Sequence, residues 1–175
     1  PEGDRADLVT RKLRVIRLVA DAAGSLGMVG GQAIDLQAAG QVPGHPLTLD
    51  RDTLRDMHAR KTGAMIRASA LAGAIMAGAD EPLLAAVHRY ATEIGLAFQI
   101  VDDVLDVEGT AADLGKTAGK DAAEEKPTYA SLFGVAQSRT LARDCTARAH
   151  QALTEAGLHH GCLGAIADWI LTRRS

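Results

Sequence analysis

Cysteine is nearly absent. Cys145 and Cys162 are the only two in 175 residues. They are too few for a disulfide scaffold and lack the paired spacing of a zinc site, so a reducing, cytoplasmic compartment is expected. Aromatics make up only 3% of the chain. No basic segment followed by an apolar one opens the sequence, and no apolar run is long enough to span a bilayer, so neither export nor a membrane span is expected. Charge of one sign is not in excess either: the formal net charge is -3. That gives no reason to expect nucleic acid or an anionic membrane as partner, and any anionic ligand must be held by local basic groups. No stretch alternates polar and apolar residues cleanly enough for a strand.

What the sequence has is helical periodicity. Leu8, Leu13, Ile16, Val19, Leu26, Val29, Ile34 and Leu36 recur at helical spacing and predict one or two helices from Asp7 to about Ala39. Gly, Pro and His between Gly40 and Pro46 predict a turn, after which Thr48 or Asp50 caps a helix over about Asp52 to Ala77. Gly78 suits its stop, and Asp80 the cap of a third helix ending near Val107. The polar run from Glu108 to Lys126 predicts a long loop, and such loops are often functional. Helix resumes after Pro127 to about Ala156, breaks at Gly157 to Gly161, and ends in an amphipathic segment from Leu163 to Leu171. No repeat or linker interrupts the array, so the expected fold class is all-α, in one domain.

The sharpest chemical signal is the run Gln99, Ile100, Val101, Asp102, Asp103, Val104, Leu105, Asp106. Residues three or four apart share a helix face, so Gln99, Asp102, Asp103 and Asp106 can point into one site. Three neighbouring carboxylates at the C-terminal end of a helix are costly unless a cation neutralises them. Hard oxygen donors without His or Cys favour Mg2+, which bridges carboxylates to substrate phosphates. The bland alternative is a solvated acidic helix end, against which stand the apolar neighbours Leu96, Phe98, Ile100, Val101, Val104 and Leu105. Lys61 and Thr62 upstream, and Lys116, Lys120 and Lys126 downstream, form a basic set able to surround a diphosphate, although each lysine alone is most simply a surface charge. Gln32 and Asp35 share a face beside Gly30 and Gly31, as a ligand pair or as a polar pair between closely packed helices.

Three familiar chemistries fail on spacing. Gly109 to Gly115-Lys116-Thr117 has five intervening residues where a P-loop has four, and follows a helix rather than a strand. No Glu precedes His by three residues as in di-iron bundles, and no His-Glu-x-x-His occurs. His58, His88, His150, His159 and His160 share no spacing and are read as surface or packing residues.

Five ordered segments carry a resemblance. Gly-Gly-Gln-Ala-Ile-Asp-Leu at 30 to 36, Lys61-Thr62-Gly63-Ala64, Phe98 to Asp106, Gly115-Lys116 and Lys126-Pro127-Thr128-Tyr129 follow the order seen in trans-isoprenyl diphosphate synthases. The chain resembles the C-terminal half of that family, closest to its bacterial farnesyl diphosphate synthases. The resemblance implies an isoprenoid synthase helical bundle in a homodimeric prenyltransferase joining isopentenyl diphosphate to an allylic diphosphate. It further implies that Asp102, Asp103 and Asp106 bind Mg2+. By the same resemblance Lys61, Thr62, Gln99 and Lys116 act at the allylic diphosphate as catalytic and binding groups, joined in binding by Lys126. Farnesyl diphosphate is the expected product, with shorter and longer chains open.

The departure from the family is upstream: its first aspartate-rich motif, the Arg pair behind it and its isopentenyl diphosphate site have no counterpart here. The expectation is therefore the C-terminal part of a single synthase domain, spanning residues 1–175 and unable to turn over alone. Two competing readings remain, a non-catalytic synthase-like partner subunit and a class I terpene cyclase. Against the first stand the clustered carboxylates; against the second, the lysine-rich stretch from Lys116 to Lys126.

Overall fold

The computed structural model describes the backbone of residues 2–114 and 127–173, with side chains from 6–109 and 127–173. Among the described residues there are helices and no strands, in the order α1 (Glu2–Ala23), α2 (Met28–Ala38), α3 (Arg51–His58), a π turn (Ala59–Gly63), α4 (Ala64–Ala77), α5 (Glu81–Leu114), α6 (Tyr129–Phe133), α7 (Val135–Glu155) and α8 (Cys162–Thr172). The all-α expectation is met.

Local chemistry explains the starts and stops. The Asp50 side chain accepts from the Thr53 amide at 2.8 Å and opens α3, while Asp80 accepts from the Leu83 amide at 3.0 Å and opens α5. Gly78, at φ 80, ends α4 in the left-handed conformation that glycine adopts at least cost. Thr128 and Ser131 form a reciprocal capping box at the start of α6.

Three boundaries differ from expectation. The helix read from about Asp52 to Ala77 contains a π turn at Ala59–Gly63; no local residue preference marks such a turn, which arises from packing. The third helix runs on to Leu114 instead of stopping near Val107. Its polar continuation contains Ala111, Ala112 and Leu114, good helix formers with no proline among them, so polarity alone was a poor stop signal. The helix after Pro127 is split at Gly134, whose φ of 76 breaks α6 from α7.

The core is built around α5, which packs on α4, α7 and α8. Ala91 and Ala97 of α5 meet Ala142, Ala149 and Ala152 of α7, all buried, and these short side chains let the two axes approach. Leu54, Met57, Ile94, Ile100 and Leu153 fill the space around them. The Tyr90 hydroxyl donates to the Leu163 carbonyl at 2.7 Å and ties α5 to the start of α8. Burial pushes that phenol up to about 12.

The π turn sits between two glycines on neighbouring helices. A Cβ on Gly31 of α2 would lie 2.2 Å from the Lys61 amide nitrogen, and one on Gly95 of α5 would lie 3.1 Å from the Gly63 Cα. Glycine at Gly31 is a packing requirement, since any side chain would collide with backbone, and at Gly95 the approach leaves a side chain little room. By contrast, the apolar stripe of α1 faces outward: Leu13 is 62% and Ile16 64% exposed, and Leu26 beyond the helix is 83% exposed. Periodicity marked these residues as one helical stripe, and nothing among the described residues covers it.

Two outcomes are expected. Gly31→Ala should destabilise the fold by at least about 2 kcal/mol through backbone overpacking. Gly73→Ala, where a Cβ meets nothing within 4 Å, should be neutral or stabilising by up to about 1 kcal/mol. Thermal unfolding followed by circular dichroism compares the two, and equal melting temperatures would contradict the close approach. The second concerns the thiols: burial pushes Cys145 up to about 11, whereas Cys162 is exposed. A disulfide reagent at pH 8 should therefore titrate Cys162 quickly and Cys145 only after unfolding, because its thiolate fraction there is on the order of one in a thousand.

Candidate active site

The π turn projects two side chains toward polar partners on the helices that hold it. Lys61 Nζ donates to Asp35 Oδ2 of α2 at 2.5 Å. Asp35 is buried and Lys61 half-buried, so the pair fixes the ammonium at the rim of the bundle. An ammonium has three donors, and two remain for a ligand after this bond. The Thr62 hydroxyl donates to Gln99 Oε1 of α5 at 3.1 Å, which orients the amide of a side chain only 8% exposed. Asp35 pairs with Lys61 of the π turn, while Gln32, on the same helix, is exposed, so the two are not a polar pair buried together.

On α5 the sequence-predicted face is present. At about 100° per residue, Gln99, Asp102, Asp103 and Asp106 fall within an arc of roughly 100°. The cluster does not lie at the helix end, however. Because α5 continues to Leu114, Asp106 is about two turns inside it, where backbone carbonyls have helical partners and the dipole penalty fades.

The protein itself compensates part of the carboxylate charge. Asp103 Oδ2 accepts from the Tyr129 backbone amide at 2.8 Å, which joins the acidic face to the first turn of α6. Tyr129 is itself buried, stacked on Phe133 at 5.7 Å between ring centres, and burial raises its phenol. Asp102 Oδ1 accepts from the Arg173 guanidinium at 2.8 Å. Arg173, at the end of α8, was missed by sequence reasoning: 71 residues separate the partners, and no local spacing connects them. The only sequence hint was a cation at the end of an amphipathic helix.

The donor types on this face are the hard oxygens that magnesium prefers. The donors Asp102, Asp103 and Asp106 are hard oxygens, and Asp102 and Asp106 stand one turn apart. Among the described residues no group of three His, Cys, Asp or Glu side chains is arranged to enclose a metal. Mg2+ characteristically keeps several waters and takes phosphate oxygens into its shell, so it does not require a protein-only cage. Of the histidines, His58 is buried against Tyr129, His150 bonds Asp168 at 2.8 Å, and His159 stacks on His160. Lys116, Lys120 and Lys126 lie outside the described residues.

The Thr62–Gln99 bond thus joins the π turn to the acidic face of α5, while α6 and α8 bring the Tyr129 amide and Arg173 to its aspartates. Residues 6–157 match the Polyprenyl synthetase family. The chain is 43% identical over 167 residues to a farnesyl diphosphate synthase of Escherichia coli, covering 93% of this chain and 54% of that protein. It is 41% identical over 163 residues to a dimethylallyltranstransferase of Fischerella ambigua, covering 93% of this chain and 46% of the relative. An FPP/GFPP synthase structure from Zymomonas mobilis superposes with a TM-score of 0.73 at 34% identity, over 92% of this chain and 51% of that one. The chain thus spans about half the length of the relatives it matches, and over that span it belongs to the polyprenyl synthetase family.

Proposed function

We propose that this chain is the C-terminal part of a short-chain trans-prenyltransferase domain that condenses isopentenyl diphosphate with an allylic diphosphate, farnesyl diphosphate being the product. The observation that carries the reading is the Thr62–Gln99 hydrogen bond, which ties the π turn bearing Lys61 to the α5 face bearing the aspartates. Acidic and basic groups on one face suit a ligand that is itself anionic but arrives with cations. The resemblance of the five motifs and the relatives named farnesyl diphosphate synthase and dimethylallyltranstransferase support the substrate class.

In this reading Asp102, Asp103 and Asp106 hold Mg2+, which supplies Lewis-acid stabilisation of the departing diphosphate. Lys61 adds a donor to the diphosphate oxygens from a position fixed by Asp35. Thr62 and Gln99 form a hydrogen-bonded pair beneath the allylic end. Preorganised donors of this kind favour the charge that develops as the carbon–oxygen bond breaks. Lys116 and Lys126 are carried in the same role by resemblance. The complete enzyme is proposed to be a homodimer, and the two unpaired thiols favour a reducing cytoplasm. Among the described residues, no helix is long and apolar enough to cross a membrane.

Titration calorimetry with geranyl diphosphate tests this directly. The 175-residue chain should bind it in Mg2+ and lose it in chelator, while forming no prenyl product when isopentenyl diphosphate is added. Asp106→Ala should weaken the metal-dependent binding by on the order of 100-fold, and Lys61→Ala by about tenfold, the loss of one charge-assisted hydrogen bond. Binding indifferent to chelator would remove the metal reading, and product from the isolated chain would show that it is not a partial domain.

A further inference from the structure

The Arg173–Asp102 pair is unlike the surface ion pairs of this molecule. The Arg173 side chain is 7% exposed, against 46% for Asp102. Its guanidinium lies over the Phe98 ring at 4.2 Å and also donates to the Phe98 carbonyl at 3.3 Å. Its Nε is buried without a hydrogen-bond partner. Stacking, carbonyl and carboxylate hold the cation in one place, so it is a fixed charge beside Asp102 and not a mobile counter-ion. Asp102 is one of the residues assigned above to Mg2+, and among the described residues its Oδ2 accepts no hydrogen bond.

A fixed guanidinium next to a metal-binding carboxylate has two opposite effects. It repels a bare divalent ion approaching the same carboxylate, and it attracts the diphosphate that would accompany the ion. We propose that Arg173 is a positioning residue which makes metal binding at the α5 carboxylates conditional on diphosphate: it suppresses occupancy by the ion alone and favours the ion–diphosphate complex. The inference rests on the metal assignment in the proposed function. In effect the C-terminal end of α8 supplies the cation that balances Asp102 while no substrate is present.

Mn2+ binding followed by electron paramagnetic resonance, with and without inorganic pyrophosphate, tests this on the full chain. Arg173→Met should bind Mn2+ alone about tenfold more tightly than the unchanged protein. That is the factor expected in water from removing one unit charge roughly 6 Å from a divalent ion. Its affinity for Mn2+ in the presence of pyrophosphate should fall by about the same factor. Arg173→Lys, which keeps the charge but loses the planar stack, should stay within about threefold of the unchanged protein for Mn2+ alone. A gain in metal affinity is not what a damaged fold produces, so the result separates a charge effect from a structural one. If Arg173→Met binds Mn2+ alone as the unchanged protein does, or more weakly, the proposal for Arg173 is overturned while the metal site stands. If neither protein binds Mn2+ in either condition, the metal assignment falls and takes this proposal with it.

Discussion

The site depends on how closely one π turn approaches its neighbours. Residues 59–63 are held between Gly31 of α2 and Gly95 of α5, with a hypothetical Cβ on either glycine lying 2.2 Å or 3.1 Å from turn backbone. The extra residue of a π turn shifts the helical register, so the faces before and after it differ. Here the shift delivers Lys61 to Asp35 on one side and Thr62 to Gln99 on the other. The glycines therefore serve the chemistry only indirectly, by letting backbone stand where side chains usually would.

The long α5 then does two jobs with opposite faces. One face, through Ala91, Ile94, Ala97 and Ile100, is core. The other carries Gln99 and the three aspartates. Burying one side of a helix while clustering like charges on the other is a conflict that the surrounding elements relieve. The first turn of α6 gives a backbone amide to Asp103 and the end of α8 gives a guanidinium to Asp102. Both compensating groups come from elements far along the chain, so the acidic face is tolerable only once the tertiary fold has formed.

Much of this was legible in sequence, for identifiable reasons. Caps at Asp50 and Asp80 and the stop at Gly78 depend on residue type within a few positions, and all are observed. The grouping of Gln99, Asp102, Asp103 and Asp106 follows from helical geometry alone. The π turn, the extension of α5 to Leu114 and the break at Gly134 were not legible, because packing or a single φ decided them. Arg173 was invisible for the same reason that it matters: its partner lies on another helix. The outward stripe of α1 shows the limit of periodicity, which finds an apolar face without saying what covers it.

The balance of charge at the site follows from these placements. Among the described residues, Lys61 is paired with Asp35 and Asp102 with Arg173, while Asp103 accepts from an amide, so part of the site's charge is balanced within the protein. A site built from unpaired lysines would hold any phosphate, and one built from unpaired aspartates any divalent ion. Pairing each against a local partner weakens both single-component interactions and leaves the combination, a polyanion carrying its own metal, as the ligand able to use acidic and basic groups together. Selectivity of that kind costs affinity for each component, and it needs partners that cannot drift. That is why the ammonium is anchored on a buried carboxylate and the guanidinium is stacked on Phe98.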